Sequence, residues 1–263
     1  MPLLHFAFGS LAREKLFTEQ IDAFCEKILT PMRLRASICP EFLPILNNSG
    51  AQWAIPNSAQ VTPYGGVTFR ESINSPPVAL APADVWMLCF ANLPIRKLRQ
   101  WPHAEHYGKL AIVFKNSFRS QVNAKAVSYY QLHELQHDPK VIAYNEAIKQ
   151  KQQVEELAQE LLAYRKPAKL WPEFRQLFGL TSIQNNPNGL TVEHITYSRY
   201  QDGYEFFTEA ESRIVTDENN QHIPFNECDV LKIITPSPEG KNHIQNWLMK
   251  NWTIQPPVII YPT

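Results

Sequence analysis

Val85-Trp86-Met87-Leu88-Cys89-Phe90 decides the fold. An unbroken apolar run with no polar alternation reads as a central strand covered on both faces. Asn92-Leu93-Pro94 ends it. Downstream, Ile95–Tyr107 has helical spacing interrupted by Pro102, and Leu110-Ala111-Ile112-Val113-Phe114 is a second buried strand. Ala126–Tyr130 is a short third strand. Upstream, Leu3–Phe8 is a buried strand carrying His5, and Lys15–Leu29 repeats apolar residues at helical spacing, with Ser10 as its cap. Met32–Ala36 alternates as a strand should.

The outer segments fill in the rest. Prolines punctuate 40–102, which predicts short strands and loops, with a turn at Tyr64-Gly65-Gly66. Val141–Arg165 reads as one long polar helix, and Asn185–Gly189 as a loop. The last third reads as strands at Val192–Tyr197, Phe206–Val215 and Val230–Ile234, a turn at Asp217–Asn220, a helix at Asn242–Met249 and an extended end at Trp252–Tyr261. Strands and helices do not alternate regularly, so the expected class is α+β rather than doubly wound α/β. The chain is expected to be a single domain over 1–263, with a Pro-rich insertion at about 44–82 and a helical insertion at about 141–190.

Composition narrows the class. The 263 residues are 44% hydrophobic and 19% charged, which is globular rather than disordered. Lys+Arg and Asp+Glu are 25 each, so there is no global electrostatic footprint for nucleic acid or membrane. Cys25, Cys39, Cys89 and Cys228 form no CxxC pair and read as buried free thiols. No signal peptide or membrane-length apolar run is visible, so the expected location is cytoplasmic, without a membrane partner. The Gly-rich dinucleotide and triphosphate signatures and the nucleophile elbow are absent from the sequence.

Three segments carry chemistry. In Phe206–Val215, Glu209 and Glu211 would share one face of a strand, where their like charges need a reason. Such a pair can hold a ribose hydroxyl and stabilise an oxocarbenium ion; the alternative is an edge strand whose acids pair with Arg213 or a lysine. His133-Glu134-Leu135-Gln136-His137 is a formal zinc-hydrolase pattern, with His133 and His137 as ligands, Glu134 as base, and Glu155, Glu156 or Glu160 as a third ligand. Asp138-Pro139 cuts its helix short. Arg96, Lys97, Arg99, Trp101, Lys109, Lys115 and Arg119 mix cations with an aromatic, as base stacking and phosphate contact would require; a solvated amphipathic face is the alternative.

Met87–Pro94 followed by His106–Ile112, the opening Leu4-His5-Phe6, and Glu209–Val215 followed by Val230–Ile234 resemble, in that order, the blocks of the AbiGi-type abortive-infection family. The same skeleton is similar to DarT-like ADP-ribosyltransferase toxins. The resemblance implies a split, partly antiparallel sheet of ADP-ribosyltransferase type and NAD as co-substrate, with no metal. It implies Glu211 as catalytic acid, Glu209 orienting the acceptor, His5 on the NAD ribose, and Asn92 and Tyr107 near the nicotinamide. The implied partners are a nucleic-acid or protein acceptor, nucleic acid ahead, and a neutralising protein in phage defence. Ala7 and Ser212 depart from the family's Thr and Trp. The resemblance equally admits a non-catalytic, antitoxin-like binding protein.

Overall fold

The computed structural model describes residues 1–7, 17–46, 59–61, 67–69, 78–130, 134, 137–150, 155–167 and 206–262. The fold is α+β, with a large, partly antiparallel sheet and few helices. The decisive run lies in β6 (Val78–Ala91), flanked by β1 (Leu3–Phe6) and β11 (Glu211–Val215). Beyond β1 come β7 (Ala111–Phe114), β13 (Val230–Thr235) and β14 (Val258–Ile260); beyond β11 comes β8 (Lys125–Ala126). Every neighbour on this path is antiparallel except β13 with β14.

The Val85–Ala91 part of β6 is covered on both faces of the sheet. Leu88 and Phe90 point into one core with Leu3, Ile112, Phe114 and Ile214. Ala91 joins Leu4, Val113, Leu98 and Trp101 in the core on the other face. Two helices close the first core. Helix α1 (Phe17–Phe24) contributes Ile21 and Phe24 and continues as a π-helical turn, Cys25–Leu29. The last helix, Pro238–Asn251, contributes Ile244 and Leu248. Ser237 caps it by accepting from the Gly240 N–H at 3.2 Å, and Pro238 starts it where a missing N–H costs nothing.

Several local expectations change. The Pro-rich region contains a long ladder: β3 (Ser37–Leu46) runs antiparallel to β6 over ten residue pairs, and β4 (Ala59–Val61) and β5 (Val67–Phe69) also pair with β6. Prolines are tolerated in strands lacking a ladder hydrogen bond at that position. The long polar helix is two helices, Pro139–Lys149 (α4) and Glu155–Ala163 (α5), followed by strand β10, Arg165–Pro167. β10 pairs with β9 (Ser128–Tyr130) in a separate two-stranded parallel ladder. Phe206–Val215 is not one strand: a 3-10 turn covers Phe206–Glu209, and the strand starts only at Glu211. The Ser10 cap, the 64–66 turn, the 185–189 loop and the 192–197 strand lie outside the described residues.

One junction matters for the site. β1 meets β6 through a single residue pair, Leu4 opposite Ala91. In contrast, β1 and β7 share four pairs, and β6 and β11 share five. Ten of the described strands form one continuous sheet whose two halves are joined at this narrow seam; β2 (Arg33–Arg35) and β12 (His222–Pro224), like β9 and β10, pair apart from it.

Candidate functional site

The acid pair is built at the seam's edge. Ala91 pairs with both Leu4 and Glu211, so Glu211 opens its strand about 10 Å from β1, two ladder spacings away. Directly opposed residues share a face, so Leu4, Ala91 and Glu211 point the same way, as do Cys89 and Arg213. Glu209 does not reach this face by strand alternation. Ala210 has φ +50°, a left-handed conformation that side chains other than glycine adopt at a cost. That turn, held by an Asn92 N–H to Ala210 O bond of 2.7 Å, swings Glu209 back beside Glu211.

Lys166 explains how two buried carboxylates coexist. Its Nζ is 2.8 Å from Glu209 Oε2 and 3.1 Å from Glu211 Oε2. Arg213 supplies the second cation: Nε donates to Glu211 Oε1 at 2.8 Å, Nη2 to Glu211 Oε2 at 3.0 Å and Nη2 to Glu41 Oε1 at 2.6 Å. Its Nη1 donates to Ala163 O at 2.8 Å, the last residue of α5, where the helix dipole favours a cation. Glu209 and Glu211 are 2% and 7% exposed, so these charges are held away from bulk water.

The electrostatics follow from that packing. Burial alone would raise the Glu211 carboxyl, but Arg213 and Lys166 more than offset it and hold it well below its ordinary value. It is therefore anionic at neutral pH. Glu41 goes the other way: burial outweighs its share of Arg213 and pushes it up to about 7, and its Oε2 has no hydrogen bond.

An aromatic wall adjoins the acids. Tyr107 donates to Glu209 Oε1 at 2.9 Å and stacks on Trp101 with ring centroids 5.5 Å apart, and Phe6 stacks on the same indole at 4.9 Å. Trp101 Nε1 donates to Thr208 O at 3.2 Å, and His103 Nε2 lies 2.6 Å from Thr208 Oγ1, so the 3-10 turn carrying Glu209 is pinned to this wall. Phe6, Asn92, Tyr107, Thr208 and Ala210 are half-buried and form the accessible rim. Asn92 Oδ1 is buried without a hydrogen bond.

The expected site residues divide accordingly. Glu209, Glu211 and Tyr107 are brought together, and Asn92 anchors the turn between the two acids. His5 is on the other face. It follows Leu4 in β1, packs edge-on against Phe90 at 5.7 Å and lies 3.2 Å through Nδ1 from Cys89 O. Burial pushes it down to about 4. Phe6 takes the place facing the acids. No motif marks Lys166 or Glu41; the sequence signal for Lys166 is that a buried acid pair needs a cation from elsewhere in the chain.

The other two segments fare differently. His133 lies outside the described residues; Glu134 and His137 are exposed in 3-10 geometry, and α4 begins only at Pro139. Among the described residues no group of three or more His, Cys, Asp or Glu is arranged to hold a metal. Of the aromatic and basic set, Arg96, Lys97 and Arg99 are exposed on the 3-10 turn Ile95–Gln100, but Trp101 is buried in the wall. Arg119 turns to Ser212 on the His5 face, at 3.3 Å.

Compared with known proteins, the chain matches no family model, no curated protein and no solved structure. No helix among the described residues is long and apolar enough to cross a membrane.

Proposed function

We propose that the chain is an ADP-ribosyltransferase of the AbiGi-like, phage-defence kind, using NAD to modify a macromolecule, with nucleic acid favoured over protein. The observation that carries the reading is the convergence of Glu209 and Glu211 beside the single-pair seam, against the half-buried ring of Tyr107. The first strand, β1, and the strand that Glu211 opens, β11, flank the same central strand, which supports the reading.

In this reading the C–N glycosidic bond of NAD breaks and nicotinamide leaves with the bonding electrons. Glu211, anionic at neutral pH, stabilises the oxocarbenium ion that forms. Glu209 orients the acceptor, whose nucleophile then bonds to the ribose carbon. Tyr107 and Phe6 offer apolar faces for the nicotinamide ring. The exposed Arg96, Lys97 and Arg99 supply cations for an acceptor's phosphates.

A second reading has its own observation. Both Glu211 oxygens are already bound by Arg213 and Lys166, which suits a non-catalytic, antitoxin-like partner protein in which the acids are structural. No observation favours a zinc hydrolase.

The deciding experiment gives NAD labelled in its adenylate to a cell lysate split into protein, RNA and DNA fractions. Wild type, Glu211→Gln and Glu209→Gln are compared, with circular dichroism as the check on folding. Label in one fraction, lost in folded Glu211→Gln, supports transfer and names the acceptor class. No label and no nicotinamide release in wild type moves the conclusion to the binding protein.

A further inference from the structure

We infer that the Lys166 ammonium fills a cation-binding position between Glu209 and Glu211, and that β10 thereby acts as an internal plug of the acid pair. The inference rests on the transferase reading for its biological meaning, but the cation position stands on geometry alone. Two carboxylates that share one ammonium repel each other, and a positive charge between them offsets that repulsion. Lys166 Nζ provides it at 2.8 and 3.1 Å, with the side chain 8% exposed.

Three features mark Lys166 as a plug rather than as a fixed part of the site. Arg213, on β11 itself, already binds both Glu211 oxygens, so Glu211 keeps a counter-ion when Lys166 leaves. Tyr107 likewise keeps a bond to Glu209. Lys166 also arrives on a strand outside the main sheet, held by three residue pairs to β9, so its withdrawal breaks no ladder of the ten-stranded sheet. A positive group on the ligand competes for the same position. NAD carries a pyridinium and develops further positive charge at the ribose carbon as the glycosidic bond opens, so the ligand class is cationic, and the plug opposes its entry.

The test uses the full chain with Lys166→Ala and, to keep side-chain volume, Lys166→Met. Thermal melts are recorded with ethylammonium chloride, with sodium chloride at equal concentration, and with ethanol. Nicotinamide release from NAD is measured for both variants and for wild type. The inference expects Lys166→Ala to melt lower than wild type and to recover with ethylammonium but with neither control. It expects release by Lys166→Met to be at least about tenfold faster than by wild type. No ethylammonium-specific recovery overturns the cation position. An active wild type whose release falls or stays level in Lys166→Met overturns the plug. Ethylammonium recovery with no nicotinamide release from any protein supports the cation position and overturns the transferase reading instead.

Discussion

Arg213 grips Glu211 two residues back on its own strand, Nε to Oε1 at 2.8 Å and Nη2 to Oε2 at 3.0 Å. The same guanidinium holds Glu41 and the carbonyl that ends α5, so one side chain ties β11 to β3 and to the helical segment. Removing it takes the cation from buried Glu41 and leaves buried Glu211 with Lys166 alone. Arg213→Leu is expected to cost about 3–5 kcal/mol, because a broken buried pair leaves charge uncompensated. Arg213→Lys should recover only part of this, since an ammonium cannot make the two-pronged contact. Urea denaturation measures both; a loss below about 1 kcal/mol for the leucine variant would mean the network relaxes into water.

Buried Glu41 and half-buried His5 give opposite pH dependences that nearly cancel. Glu41 is raised from 4.5 to about 7, so the folded state binds its proton more tightly and stability falls as pH rises through that window. His5 is lowered from 6.5 to about 4, so the unfolded state binds the proton first and stability falls as pH drops through that window. Each contributes about 3 kcal/mol across its range. Between pH 4.5 and 6.5 wild type should therefore be nearly flat. Glu41→Gln should lose stability on acidification there, and His5→Gln should gain it. Denaturation midpoints at four or five pH values test this; parallel profiles in the two variants would refute the assignments.

The parts of this structure legible in the sequence are those that burial alone enforces. Val85–Phe90 and Leu110–Phe114 are read correctly because a strand covered on both faces tolerates little else. The acid pair is visible as a motif, but strand alternation, which the spacing suggests, does not bring the two acids together. The actual device is a left-handed Ala210, which carries no sequence signal because glycine or asparagine is the usual marker. Lys166 comes from a segment whose polar periodicity continues that of α5, 43 residues from Glu209 in the chain. Glu41 lies in a Pro-rich stretch that reads as short strands and loops yet pairs as one long strand. That His5 lies on the face opposite the acids is not legible, because its face depends on the Leu4–Ala91 register, which a single sequence does not encode locally.

Ala210 gives a direct test of the turn. Ala210→Gly removes the left-handed strain, worth about 1 kcal/mol, at the expense of a more flexible unfolded chain, so stability should change by less than about 1 kcal/mol. Ala210→Val puts a β-branched residue at φ +50° and should cost about 2 kcal/mol or more, separating Glu209 from Lys166. Calorimetric melting of the three proteins should place Gly and Ala close together and Val below both. A valine variant as stable as wild type would show that the turn has an alternative conformation.

The opposite placement of His5 and Tyr107 separates the resemblance from the geometry. If NAD binds on the acid face, His5→Gln should leave its Kd within about twofold, because the imidazole packs on Phe90 behind the sheet. Tyr107→Leu removes both the ring beside the acids and the hydroxyl held by Glu209, and should weaken NAD by about tenfold, near 1.4 kcal/mol. Isothermal titration with NAD on both variants, after a melt showing each is folded, distinguishes them. Loss of binding in His5→Gln with none in Tyr107→Leu would move the NAD site to the other face of the sheet, under Phe90 and Ser212, and would leave the acid pair a structural network.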